Sequence, residues 1–216
     1  MIARLFLLAV LAAAALAPVS GSTTALAADA KPMPLTETDK ADLGRIEDYL
    51  NGLSTLKAHF IQVSSKGEVA EGTVYMQRPG KIRFEYEPPV PVLIVSSGLI
   101  LYYHDTELDQ TSQVFVNSTP IGLLVRDKLS FADKDITVVH MLHHDGAIRV
   151  TVQQTEEPEQ GAITLIFSDQ PLALRKWVVL DAQDVETSVT LTNVQTGLKL
   201  DPDLFTFDPR PEAEKR

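Results

Sequence analysis

Gly72-Thr-Val-Tyr-Met-Gln-Arg-Pro-Gly-Lys-Ile-Arg-Phe-Glu-Tyr-Glu-Pro-Pro89 reads as two strands joined by a tight turn. Counted by twos, Val74, Met76 and Arg78 share one face of the first run, and Thr73, Tyr75 and Gln77 take the other. Beyond the Pro79-Gly80 turn, Ile82, Phe84 and Tyr86 form an apolar face against Lys81, Arg83, Glu85 and Glu87. Arg78 is thus a permanent charge on the side that should be dry.

The same period continues along the chain in both directions. Short alternating runs broken by Gly, Pro, Asn and Asp predict strands near 56–64, 68–78, 81–87, 91–97, 99–104, 109–116, 135–143, 147–154, 162–168, 172–181 and 184–195. Turns such as Ser97-Gly98, His144-Asp145-Gly146 and Gln170-Pro171 are short enough for antiparallel hairpins. A last short strand is expected at Leu204–Phe207, before a Pro-rich charged tail. Nothing marks a domain boundary or an internal repeat.

Helical signals are few. Thr36-Glu-Thr-Asp39 resembles a capping box, followed by Leu43, Ile46, Tyr49, Leu50 and Leu53 at helical spacing and closed by Asn51-Gly52. In Asn117–Arg126, Thr119 is placed to cap a helix with Pro120 at its first position, and Ile121, Leu124 and Val125 share one side. A second short helix is expected behind Ser130. The fold class is mainly β with a few helices (α+β), one long helix and one or two short ones lying against a large twisted antiparallel sheet.

The N-terminus carries one early cation (Arg4), the apolar run Leu5–Leu16, Pro18-Val19-Ser20-Gly21 and the small-residue site Ala25-Leu26-Ala27. This predicts a secretory signal peptide over 1–27 and a single domain over 28–216, with 28–35 and 210–216 disordered. There is no cysteine, which excludes a disulfide framework, a thiolate metal site and a lipid-acceptor cysteine. A net charge of −10 argues against nucleic acid and against residence on anionic membranes, leaving transient membrane proximity only.

Catalytic patterns are missing. His140, His143, His144 and Asp145 invite a metal, but in a strand His140 and His144 point one way and His143 the other, so solvated strand-end residues are expected. No HExxH, GxSxG, phosphate-loop or dinucleotide motif occurs. Glu85/Glu87 and Asp181/Asp184 read as exposed charges, and Ser96-Ser97-Gly98 has no local histidine partner. No enzyme, metal or cofactor is expected.

Apolar surface remains. Leu93 and Val95 continue the apolar face of Val74, Met76, Ile82, Phe84 and Tyr86 into the fourth run, and Leu99, Leu101 and Tyr103 into the fifth. A helix of about 18 residues spans only ~27 Å by ~10 Å, whereas ten or eleven strands at ~4.8 Å spacing are far wider. The sheet must curl, and a curled sheet with an apolar lid is a ligand site.

Four stretches carry a likeness to a known family: Leu56-Lys-Ala-His-Phe-Ile-Gln62, the Gly72–Tyr86 block around Arg-Pro-Gly, Ile94-Val-Ser-Ser-Gly98 leading to Leu101-Tyr-Tyr103, and Thr119-Pro-Ile-Gly-Leu-Leu124. In consistent order from about Leu43 to Pro209, the chain resembles the LolA family, periplasmic carriers of outer-membrane lipoproteins. The resemblance implies an unclosed antiparallel β-barrel of about 11 strands, with a helical lid over an apolar cavity for lipoprotein acyl chains. The expected cavity wall is Val74, Met76, Ile82, Phe84 and Tyr86, with Leu93, Val95, Leu101 and Tyr103. The expected lid is Pro120, Ile121, Leu124 and Val125. It also implies a periplasmic monomer loaded by an inner-membrane ABC-type lipoprotein release complex and unloaded to an outer-membrane receptor lipoprotein.

Arg78 matches the arginine thought to hold the lid closed through backbone carbonyls. At a cavity rim it can offer five donors to the last turn of a lid helix, or snorkel to water; the resemblance favours the latch. Ile82 stands where many members carry phenylalanine and Phe84 where tryptophan is common, so the cavity's shape differs in detail. A carrier or sensor of another exported lipid or glycolipid is the alternative on the same fold.

Overall fold

The computed structural model describes residues 31–210; the expected signal segment 1–27 and the remaining ends lie outside them. Eleven strands form one sheet: β1 (Thr55–Ser64), β2 (Val69–Gln77), β3 (Lys81–Tyr86), β4 (Val92–Ser97), β5 (Ile100–Asp105), β6 (Gln110–Phe115), β7 (Ile136–His144), β8 (Ala147–Gln154), β9 (Gly161–Ser168), β10 (Ala173–Asp181) and β11 (Glu186–Thr196). All eleven runs of period two are strands, with ends within two residues of expectation. The spatial order is β6-β5-β4-β3-β2-β1-β11-β10-β9-β8-β7, so β1–β11 is the only pairing between strands distant in sequence. Every pairing is antiparallel, and β6 and β7 are the edge strands. The barrel is unclosed.

The β2–β3 hairpin fixes the inner face. Val74 lies opposite Phe84 and Met76 opposite Ile82, and all four are buried. On β4 the phase differs from expectation. Ile94 pairs with Phe84, whereas Leu93 pairs with Glu85 and Val95 with Arg83, which puts Val92 and Ile94 inside and Leu93 and Val95 on the outer face. Val92–Val95 is apolar at every position, so alternation carries no phase there; pairing register decides it.

Val95 is nevertheless fully buried, because the C-terminal segment crosses the outer face. The expected strand at 204–207 is instead a 3-10 turn, Pro202–Phe205, started by the Asp201 side chain accepting from the Asp203 N–H. Arg83 Nη1 donates to the Leu204 carbonyl at 3.0 Å, and Lys81 Nζ sits 5.8 Å above the Phe205 ring. Phe207 then packs on Tyr102 and His104 of β5.

The long helix α1 (Glu37–Gly52) starts as its sequence dictates. Thr36 Oγ1 accepts from the Asp39 N–H and the Asp39 carboxylate from the Thr36 N–H. Leu43, Ile46 and Leu50 form its buried stripe, and Tyr49 meets Phe167 of β9 edge-on. The lead-in packs too, with the Met33 N–H on the Val138 carbonyl of β7.

The β6–β7 connection contains a 3-10 turn, Val116–Ser118, and a helix α2 (Gly122–Val125) of only four residues. Thr119 does not cap it: its hydroxyl donates to the Val116 carbonyl, and its own carbonyl accepts from Gly122. The bonds Leu123 to Pro120 and Leu124 to Ile121 keep the 3-10 pattern. Ser130 opens a turn rather than a helix, with its carbonyl accepting from Asp133.

Phe205 is the anchor of the outer strap. Phe205→Ala should lower unfolding free energy by about 3–5 kcal/mol, read as a lower urea midpoint at unchanged m. Stability equal to wild type would mean that the strap adds nothing to the fold.

Candidate ligand cavity and the segment that closes it

The curl of the sheet leaves about 750 Å³ of space, counting its open mouth, between strands β1, β3, β4, β5, β10 and β11 and the residues ahead of α2. Of the expected wall, Phe84, Tyr86, Leu101 and Tyr103 line it. Val74, Met76 and Ile82 are buried in the same core but do not reach the cavity, while Leu93 and Val95 face away from it. The wall also takes Val92, Ile94, Trp177, Val179 and Val189, which the sequence reading did not single out as wall. The signal was there for the last three, since they alternate on β10 and β11. What it lacked was the β1–β11 pairing that brings them across from β3.

An aromatic cluster forms the cavity's floor. Phe60 meets Phe84 and Tyr86 edge-on at 5.5 and 5.2 Å, and Phe84 meets Trp177 at 6.3 Å. Tyr86 donates its hydroxyl to Gln62 Oε1 at 2.9 Å. Burial pushes both cavity phenols up, Tyr86 far above its usual range and Tyr103 to about 12, the latter helped by Asp105. Both are neutral donors at any physiological pH.

Of the expected lid residues, Pro120 and Ile121 line the cavity, and Leu124 and Val125 are buried in the core beneath. The segment's far end meets Arg78. Arg78 Nε donates to the Arg126 carbonyl at 2.6 Å, immediately after α2, and Nη2 donates to Asn51 Oδ1 at 3.2 Å. The neighbouring Gly80 N–H donates to the Val125 carbonyl at 2.7 Å. Arg78 Nη1 is buried with no partner among the described residues. Burial pulls the guanidinium's pKa down, opposed by Asp127.

Asn51 is the hub that sequence reading took only as a helix end. Its Nδ2 donates to the Leu129 carbonyl at 2.8 Å, and its Oδ1 accepts from the Leu129 N–H at 2.9 Å. The C-terminus of α1, the β2–β3 turn and the chain after α2 therefore meet at one amide. Glu47 adds a bond from the Phe131 N–H, and Arg126 binds Asp135 at 2.6 Å, holding that carboxyl below its usual range.

Residues 51–208 match the family described as outer membrane lipoprotein carrier protein LolA. The chain belongs to that family. It is 28% identical over 183 residues to the outer-membrane lipoprotein carrier protein of Methylococcus capsulatus, covering 81% of this chain and 86% of that one. With the carrier protein of Dechloromonas aromatica it shares 35% over 184 residues, 79% and 85% of the two chains. An uncharacterized protein of Rickettsia prowazekii is 23% identical over 165 residues, 76% of each. A LolA superfamily protein from Nitrosomonas europaea, solved by crystallography, aligns over 76% of this chain and 97% of that one with a TM-score of 0.43 at 8% identity.

The histidines of this LolA-family chain do not converge. His143 Nε2 lies 2.9 Å from Asp42 of α1, whereas His144 pairs with its neighbour Asp145. On the outer face His59 stands 3.6 Å from Glu71 and 3.5 Å from Glu87, a partly exposed cluster whose ligand atoms lie within 4.8 Å of one another. No helix among the described residues is long and apolar enough to cross a membrane.

Gly122 lies where the crossing segment packs closest on its own backbone. A Cβ there would stand 2.2 Å from the Val116 carbonyl oxygen, a clash with backbone. Gly122→Ala should therefore cost roughly 1–3 kcal/mol in the closed arrangement. Hydrogen exchange at residues 122–125 should speed by about tenfold or more while α1 is unaffected. Unchanged protection would show that the turn absorbs the methyl group.

Proposed function

We propose that this chain is a periplasmic carrier that takes the acyl chains of lipoproteins into its cavity and ferries them from the inner to the outer membrane, without performing chemistry. Family membership supports the carrier role. The single observation that carries the mechanism is Arg78 Nε on the Arg126 carbonyl, a charged latch on the segment over the cavity. An inner-membrane ABC-type release complex would load the carrier, and a receptor lipoprotein on the outer membrane would take the cargo.

The energetics explain why such a carrier needs a latch. Burying ~16 methylenes at ~0.8 kcal/mol each gives on the order of 10 kcal/mol per chain, before ordering costs. That keeps cargo soluble but opposes release. A closed empty state, stabilised by bonds that a loaded cavity breaks, subtracts from cargo affinity. The unpaired Nη1 keeps this latch modest, because opening returns a desolvated donor to water.

Carriage of a free lipid or glycolipid is the competing reading, since the cavity itself binds any chain that fits. Native mass spectrometry of the protein from its own periplasm separates the two: an acylated polypeptide bound one-to-one supports lipoprotein carriage, and a free lipid supports the competitor.

Charge-assisted bonds of this kind are worth ~1.5–3 kcal/mol each, so losing one shifts the open–closed balance roughly 10- to 150-fold. Arg78→Leu removes the latch and adds apolar surface at the mouth, and both changes favour the loaded state. The variant should accept lipoprotein from inner-membrane vesicles yet hand it on poorly to outer-membrane acceptor. Arg78→Lys should fall between, lacking the planar fork. Normal onward transfer by Arg78→Leu would reduce Arg78 to a rim residue and end the latch.

A further inference from the structure

Among the described residues the cavity wall holds no charged side chain, and its polar groups are few. The Thr119 hydroxyl is spent on the Val116 carbonyl. Gln62 is different. It is 9% exposed, it faces the cavity from β1, and its Oε1 is engaged by the Tyr86 hydroxyl. With Oε1 accepting from Tyr86, Nε2 and its two hydrogens are turned away from that hydroxyl. Nε2 donates to no acceptor among the described residues. Thr187, 7% exposed and also in the wall, is its diagonal neighbour, because Gln62 pairs with Val189 and Ser64 with Thr187.

These groups gather at one end of the trough. Tyr86 pairs with Gly72 of β2, whereas Arg78 follows the end of that strand six residues on, ~20 Å away at ~3.3 Å per residue. An amide whose donors face the cavity without a protein acceptor gains a hydrogen bond from any ligand that supplies one there. A few fixed polar groups in an otherwise apolar pocket are also what orients a ligand.

We infer that Gln62, braced by Tyr86 and flanked by Thr187, is a carbonyl-recognition point that receives the neutral ester or amide carbonyl through which an acyl chain is attached. The inference rests on reading the cavity as an acyl-chain site and adds a selection to it. Ligands with the carbonyl are favoured over hydrocarbon of equal length. Free carboxylates are disfavoured, because burying their charge is costly and no lining side chain among the described residues carries a positive charge.

The test uses displacement of a fluorescent acyl probe by three ligands of matched chain: methyl laurate, dodecyl methyl ether and laurate at pH 8. Methyl laurate should bind about five- to tenfold tighter than the ether, which lacks only the carbonyl, and laurate should bind more weakly than the ester. Gln62→Leu should erase the ester-to-ether ratio while keeping ether binding, and Tyr86→Phe should reduce the ratio partway by freeing the amide. Should Gln62→Leu fold poorly, the isosteric Gln62→Met reads the same ratio. A ratio near one in wild type, or one unchanged in the Gln62 variants, overturns the carbonyl point and leaves the cavity intact as an acyl site. Failure of the probe and all three ligands to bind removes the acyl-site reading, and the carbonyl point with it.

Discussion

Because β6 and β7 never meet, the sheet ends as a trough, and chain from elsewhere must cover its apolar inner face. The covering chain is largely dictated by topology. β6 and β7 are consecutive in sequence and sit at opposite edges, so the residues joining them have to cross the open side. The lid is not an insertion added to a finished barrel. It is the connection that an unclosed barrel of this order cannot avoid. α1 takes another part of the face, against β9 through Tyr49 and Phe167, and the cavity is what neither segment fills.

A crossing segment held only by apolar packing would close the trough with the same kind of contact that cargo makes. Closure and loading would then compete on equal terms, with no preference for release. On the proposed carrier role, the polar contacts at the far end of α2 would change that. Arg78 and Gly80 bind successive carbonyls, of Arg126 and Val125, and Asn51 grips Leu129 through both of its amide atoms. Such bonds are directional and short-ranged, so a small displacement of the segment loses them together. They stabilise one closed geometry and contribute nothing to a range of open ones.

Much of this was legible in the sequence. Short apolar or alternating runs between Gly, Pro, Asn and Asp breaks located all eleven strands, and the capping box at Thr36 placed α1. Arg78 stood out because a charge broke the apolar face of a well-patterned hairpin. The failures have equally physical causes. Leu93 and Val95 were assigned inward because Val92–Val95 is apolar throughout, and a strand whose outer face is roofed by the Phe205 strap looks the same as one packed inward. Thr119-Pro120 carries a strong capping signature, yet here the threonine hydroxyl is turned to a preceding carbonyl within tandem 3-10 turns. Asn51 and Gln62 were invisible as site residues. Their importance lies in partners 78 and 24 residues away, a separation that no local pattern encodes.

The floor and the lid divide two demands that one element cannot meet. Gly72 shows how closely the floor is built: a Cβ there would stand 2.1 Å from the Glu85 carbonyl oxygen and 2.8 Å from the Phe60 ring. The missing side chain lets Phe60 lie across the β2–β3 pair and contact Phe84 and Tyr86. Packing of that kind resists deformation, since any shift forces several rings off their contacts at once. On the proposed carrier role, the floor resists swelling to admit cargo, and the change in volume would fall to the crossing segment. That segment is short, built from 3-10 turns and joined to the sheet by a handful of hydrogen bonds. On the proposed carrier role, a rigid wall that presents Gln62 at a fixed depth beneath a movable cover would select chains by length and attachment rather than by adapting to each one.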